Sequence, residues 1–267
     1  MAARDMPSAA PPAPAQHPAY EIVSPEAPGP WLVTCDHASN AVPDWVAGGD
    51  LGLPPEEMER HIAWDIGAEG LARALARRLG AAAILGRFSR LVIDANRGED
   101  DPTLVMRLYD GTVIPANRAL DAAGLEERLE RLWRPYHAAL EALLARREVL
   151  LAVHSFTPQL RGRPPRPWEV AVLHSPLDGR VALPLIEGLR ARGDLVVGDN
   201  EPYSGHLPGD SVDRHALRTG RLNVLVEVRQ DLIATPEGQE RWGARLAPHL
   251  ACALERARGG AHLVGAQ

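Results

Sequence analysis

A chain of 267 residues, 45% hydrophobic and 24% charged, can bury a substantial α/β core and has ordinary globular composition. A formal net charge of -6 removes the basic excess that a general nucleic-acid binder needs. No apolar run approaches the roughly 20 residues of a membrane helix, and only two cysteines, Cys35 and Cys252, exclude a disulfide framework and an all-thiolate zinc site.

The cysteine count makes a reducing, cytoplasmic setting the expectation, and ten histidines leave room for an imidazole and carboxylate site. Residues 1–20, rich in alanine and proline without an apolar h-region, read as a disordered leader. A single domain is expected over 21–258, followed by a flexible tail over 259–267. Trp31–Cys35 predicts a short buried strand, closed by Asp36-His37 and a loop marked by Pro43, Gly48, Gly49 and Gly52. Pro54-Pro55-Glu56-Glu57 opens a helix that the spacing of Ile62, Ile66, Leu71, Leu75 and Leu79 carries to Gly80.

Ala83–Leu85 and Leu91–Ile93 read as two short strands. Residues 115–147 carry helical periodicity in Leu125, Leu129, Leu132, Leu140 and Leu144, and Val149–Val153 is a continuous apolar strand ending at His154. Strands follow over 169–173, 195–197 and 222–228, with helices over 180–192 and 236–257. This alternation predicts an α/β three-layer sandwich with a mixed, centrally parallel sheet. Ligands in such sheets gather beyond the carboxyl ends of the strands. Asp36-His37, His154-Ser155 and Glu227 fall at such ends.

Taken singly, His37 and His154 read as histidines that cap loops. On one sheet rim they become two of the three or so ligands that a catalytic zinc requires. His61 and Asp65, four apart on the expected helix, read either as a surface ion pair or as part of a joint site. The apolar neighbours of Asp65 favour a buried carboxylate, which needs a cation or several donors. Glu227, within LNVLVEVRQD, is costly in a central strand unless an arginine such as Arg229 pairs it or it serves as a general base. Asn96-Arg97, ending LVIDANR, offers a fork for a carboxylate or is a surface arginine, with Asp94 bracing the loop. The turn-rich Gly198–Gly205, with Asn200 and Tyr203, reads as a plain loop or as one wall of the crevice. His215 could donate to a substrate or an oxyanion. Arg161, Arg163 and Arg166 sit among prolines as a loop that could touch an anionic ligand. Cys35, two residues from His37, keeps a metal-free thiol hydrolase open.

The segments LVTCDHASNAVP, HIAWDIGAEGLARALARRLGA, FSRLVIDANR, LLAVHSFTP, VGDNEPYSG and VLVEVRQD, in this order, resemble the N-formylglutamate amidohydrolase family over about residues 30–255. The resemblance implies a fold similar to zinc carboxypeptidases, one Zn²⁺ or another divalent metal, and cleavage of the amide of a small N-acyl, by default N-formyl, amino acid. The net charge and the lack of a long apolar run leave no nucleic-acid or membrane partner expected. By position the resemblance makes His37, Asp65 and His154 the ligands, Glu227 the base and Arg97 the clamp for a substrate carboxylate. His61 stands behind the ligands rather than among them. Asn40 departs from the carboxypeptidase pattern, which has glutamate three residues after the first histidine. A carboxylate-binding relative without catalysis is the alternative.

Overall fold

The computed structural model describes residues 17–264. Its strands are β1 (Tyr20–Val23), β2 (Trp31–Cys35), β3 (Ala82–Gly86), the hairpin β4 (Leu108–Tyr109) and β5 (Thr112–Val113), β6 (Val149–Phe156), β7 (Val170–Leu173), β8 (Val197–Asp199) and β9 (Leu222–Arg229). Its helices are α1 (Pro55–Met58), α2 (Ala68–Leu79), α3 (Pro115–Arg118), α4 (Ala122–Arg128), α5 (Arg134–Leu144), α6 (Ala182–Arg190), α7 (Ser211–His215) and α8 (Pro236–Val264). One seven-stranded sheet runs in the order β1-β3-β2-β6-β9-β7-β8. Its centre, β3-β2-β6-β9, is parallel, while β1 and β7 pair antiparallel with β3 and β9. The mixed, centrally parallel sheet is the one the alternation predicts.

Side chains of the central strands alternate between two apolar layers, as the period of two demands. Val33, Leu151, Val153, Val224 and Val226 pack with Leu71 and Leu75 of α2, Leu185 of α6 and Trp242 and Leu246 of α8. Leu32, Leu150, Ala152 and Leu225 pack on the other face with Tyr136 and Leu140 of α5. Each fully buried Leu or Val contributes about 1.5–3 kcal/mol of hydrophobic stabilisation. The same alternation carries His154 and Glu227, two residues beyond Ala152 and Leu225, to the α5 side. The two are direct partners in the β6–β9 register.

Three elements differ from the sequence expectation. The helix expected from Pro54 to Leu79 is broken between Met58 and Ala68, so His61 and Asp65 share no helical face. Gly67 takes φ +79°, and the Asp65 N–H donates to the His37 carbonyl at 3.0 Å instead of to a helical partner. Leu91–Ile93 is a turn rather than a strand: these side chains are fully buried, but Asn117 Nδ2 donates to Leu91 O and Arg128 Nη1 to Val92 O. Side-chain donors thus replace a sheet ladder there. The edge strand β1, short and half-exposed, carries no apolar run from which to predict it.

Smaller differences concern boundaries. The 115–147 stretch divides at Asp121, which caps α4 by accepting from the Gly124 N–H, and a π-helical turn over Leu129–Trp133 joins α4 to α5. Helix α8 continues to Val264, past the expected domain end at 258. The leader reading for residues 1–16 lies outside the described residues. Among the described residues, no helix is long and apolar enough to cross a membrane.

Gly67 joins the turn that carries Asp65 to α2, and a Cβ there would lie 2.1 Å from Ile233 O. Gly67→Ala is expected to lose about 2–4 kcal/mol in chemical denaturation, from left-handed strain and overpacking together.

Candidate metal centre

The site begins where β2 stops. Asp36 and His37 follow Cys35 in a tight turn that lies against the end of β3. A Cβ on Gly86 would lie 2.3 Å from Asp36 O, so glycine is what lets the two backbones approach. His154 arrives on β6 and Glu227 on β9. Asp65 is carried in by the broken helix, pinned through its N–H to His37 O, and Ser155 Oγ ties the same turn to β6 by donating to Ile66 O at 2.9 Å. Candidate ligand atoms of His37, Asp65 and His154, all three buried, lie within 4.8 Å of one another.

One carboxylate oxygen is the focus. Asp65 Oδ2 lies 2.8 Å from His154 Nδ1 and 3.3 Å from His37 Nδ1. The far nitrogen of His37, Nε2, donates to Asp94 Oδ1 at 2.6 Å, and Arg90 donates to Asp94 Oδ2 at 2.8 Å. Arg90 also reaches Asp65 Oδ1 at 3.5 Å. Asp94 therefore orients a candidate ligand histidine as well as its own loop.

Burial and Arg90 would lower the His37 imidazole, but Asp94 and Asp65 outweigh them and hold it above its usual value. Burial would likewise lower His154, and the hydrogen bond and charge of Asp65 instead hold it up at about 9. For Asp65, burial opposes ionisation, yet the two imidazoles keep its carboxyl well below the usual range. Two protonated imidazoles thus stand against one buried carboxylate, and a divalent cation would replace the charge of their two protons. Two imidazole nitrogens and one carboxylate also make a donor set with room for a water position. The residues fit a metal.

Glu227 stands beside this cluster, 7% exposed, and its Oε2 bonds no described residue. Burial pushes its carboxyl up to about 7. A cleft of about 290 Å³ opens over the group, lined by the three candidate ligands, Glu227, Asn96, Arg97 and Tyr203. Arg97 is steadied by bonds from Nε to Thr103 Oγ1 and from Nη1 to Asn96 O. Burial holds the Tyr203 phenol protonated, pushed up to about 12, and the Arg166 guanidinium lies over its ring.

Two residues expected in the crevice lie outside its lining. Asn200 Oδ1 accepts from the N–H groups of His174 and Gly205 and braces the loop that carries Tyr203. His215 stacks on His137 and bonds its Nδ1 through Nε2 at 2.9 Å. His61 does line the cleft, and burial pushes its imidazole down to about 4, so it is neutral. Asn40 Nδ2 donates to Met58 O, and Asn40 takes no part in the cluster. Arg90 and Asp210 line the cleft without having been singled out in the sequence. Arg90 and Asp94 flank the expected strand Leu91–Ile93, whose extended backbone would hold them about 13 Å apart; the turn found there brings them together. Asp210 is 4% exposed, and burial pushes its carboxyl up to about 6.

Cys35 lacks the setting a thiol nucleophile needs. Cys35 is fully buried among the α2 and α8 side chains, on the layer opposite His154, and burial pushes its thiol well above the ordinary value.

A family model described as N-formylglutamate amidohydrolase matches residues 29–234, which hold all three candidate ligands and Glu227. The chain belongs to this family. It is similar to an N-formylglutamate deformylase of Pseudomonas putida, 32% identical over 131 residues that make up 44% of this chain and 46% of that enzyme. It is also similar to the deformylase of Pseudomonas aeruginosa, 29% identical over 160 residues, or 52% and 59% of the two chains. The matched stretches span about half the length of these curated relatives. Among solved structures, an Agrobacterium tumefaciens gene product is 34% identical with a TM-score of 0.84, covering 89% of this chain and 95% of that one. The N-formylglutamate amidohydrolase of Ralstonia eutropha shares the fold at 24% identity and a TM-score of 0.67, over 91% and 99% of the two chains.

Two outcomes follow from the burial and the charges. Iodoacetamide applied to the native protein is expected to label Cys252 and spare Cys35, read by peptide mass mapping; labelling of Cys35 in the folded state would revive the thiol. Metal binding is expected to displace about two protons, because both Nδ1 atoms face Asp65 while protonated. Zinc affinity should therefore rise with pH below about 9, the value for His154, and calorimetry in two buffers counts the protons.

Proposed function

We propose that this member of the N-formylglutamate amidohydrolase family hydrolyses the amide of a small N-acyl amino acid, with N-formylglutamate the first candidate. The observation that carries the reading is Glu227. A buried carboxyl with an unpartnered oxygen, pushed up to about 7, stands beside the His37, Asp65 and His154 cluster in one cleft with Arg97. That is the combination an amide hydrolase needs: a base able to give its proton back, and a cation for the substrate's carboxylate.

His37, Asp65 and His154 would hold the ion, with zinc the proposed identity on account of two imidazoles and a carboxylate. Bound there, it would supply a lowered water pKa and a counter-charge for the scissile carbonyl oxygen. Arg97 holds the amino acid's carboxylate in a two-pronged hydrogen bond. Asn96 fixes the approach of that loop through its Oδ1, which accepts from the Ser211 N–H. Glu227 takes a proton from the attacking water and returns it to the leaving nitrogen. One O–H and one C–N bond break as C–O and N–H bonds form. Tyr203 remains a donor over the neutral range and closes the cleft over the substrate. Asn200 acts through the loop that holds Tyr203. His215 acts through His137, whose Nε2 bonds Ala95 O beside Asn96.

Glu227→Gln is expected to lower kcat by about 10²–10⁴-fold while metal content stays at the wild-type level. Full activity in that variant would remove Glu227 from the mechanism. Turnover of a panel of N-formyl and N-acetyl amino acids by the wild type separates hydrolysis from carboxylate binding alone. A chain that binds the panel and cleaves none of it would be a binding protein.

A further inference from the structure

An imidazole that gives Nδ1 to a cation must carry its remaining proton on Nε2, and a buried N–H needs an acceptor. His37 has one in Asp94. His154 Nε2 is buried and bonds no described residue. The atom facing it is Asp36 Oδ2, at 3.7 Å, and this oxygen is likewise buried without a partner. Neither atom has another acceptor or donor among the described residues. A shortening of about 0.5 Å would bring the pair into hydrogen-bond range.

The other Asp36 oxygen, Oδ1, is already taken. It accepts from the hydroxyl of Tyr136, a fully buried side chain on α5. Asp36 is therefore held by one oxygen from the helical layer and presents the other to His154. It does not line the cleft, so it cannot touch substrate there. We propose that Asp36 is a positioning residue for His154, accepting its Nε2–H and so keeping Nδ1 turned toward Asp65 and the cation site. The inference rests on the metal reading given above. Each ligand histidine is then backed by its own carboxyl, Asp94 behind His37 and Asp36 behind His154.

The test uses an asymmetry of asparagine. Asp36→Asn keeps the shape but retains a single acceptor oxygen. If Tyr136 claims that oxygen, the amide NH₂ faces the His154 N–H, donor against donor. Zinc affinity, measured by chelator competition on the full chain, is expected to weaken by about 10–100-fold. Adding Tyr136→Phe frees the amide to turn its oxygen toward His154, and the double variant is expected to bind zinc at least about threefold more tightly than Asp36→Asn alone. A merely structural role gives the opposite order, since two core changes would weaken the site more than one.

Asp36→Asn binding within about twofold of wild type, or a double variant no tighter than the single one, overturns the proposal. If Asp36→Asn does not fold, zinc-loaded wild type carries the test. A His154 Nε2–H proton resonance, shifted downfield and slow to exchange with water, is expected, and its absence overturns the role. Failure of the wild type to bind zinc at all overturns the metal reading and the positioning role with it.

Discussion

Two imidazole Nδ1 atoms converge on one buried oxygen of Asp65, and the rest of the architecture follows from the need to keep them there. A carboxylate 3% exposed is tolerated only with compensating charge. That charge comes from three places remote in the chain: the turn after β2, the middle of β6, and Arg90. Breaking such a buried arrangement from one side costs about 3–5 kcal/mol, because the remaining charge is left uncompensated. The parallel β2–β6–β9 centre supplies the rigidity, setting His154 beside Glu227 by register and His37 one turn beyond the neighbouring strand end.

Backbone geometry does as much as side-chain chemistry here. Asp65 reaches the cluster because its N–H bonds His37 O rather than a helical carbonyl, and because Gly67 then turns left-handed to start α2. Asp36 reaches Tyr136 because Gly86 lets the β2 turn approach β3. Both departures from regular structure lie beside the candidate ligands, where local rules of helix and strand give way to the demands of the site.

What could be read from residues alone divides along the same line. The sheet was legible because fully buried central strands are continuous apolar runs, and strand-end polar residues marked the rim. His37, His154 and Glu227 were legible for that reason, and Asp65 through its apolar neighbours, all helped by the order of six segments resembling one family. The break in the 54–79 helix was not, since the spacing of Ile62 and Ile66 imitates a helical stripe that tertiary hydrogen bonds override. Arg90 was hidden because an extended Leu91–Ile93 would part it from Asp94, and the orphaned oxygen of Asp36 because its neighbours Tyr136 and His154 lie far along the chain. His215 and Asn200 show the converse: polar density beside a strand end drew attention to residues that brace the wall rather than form it.

The central claim is that one cation sits among His37, Asp65 and His154 without sulfur. X-ray absorption at the zinc edge of the loaded protein reads it most directly. A shell of nitrogen and oxygen at about 2.0–2.2 Å, lost in Asp65→Ala, is the result the account predicts. A sulfur contribution at about 2.3 Å, or an unchanged spectrum in that variant, would contradict it.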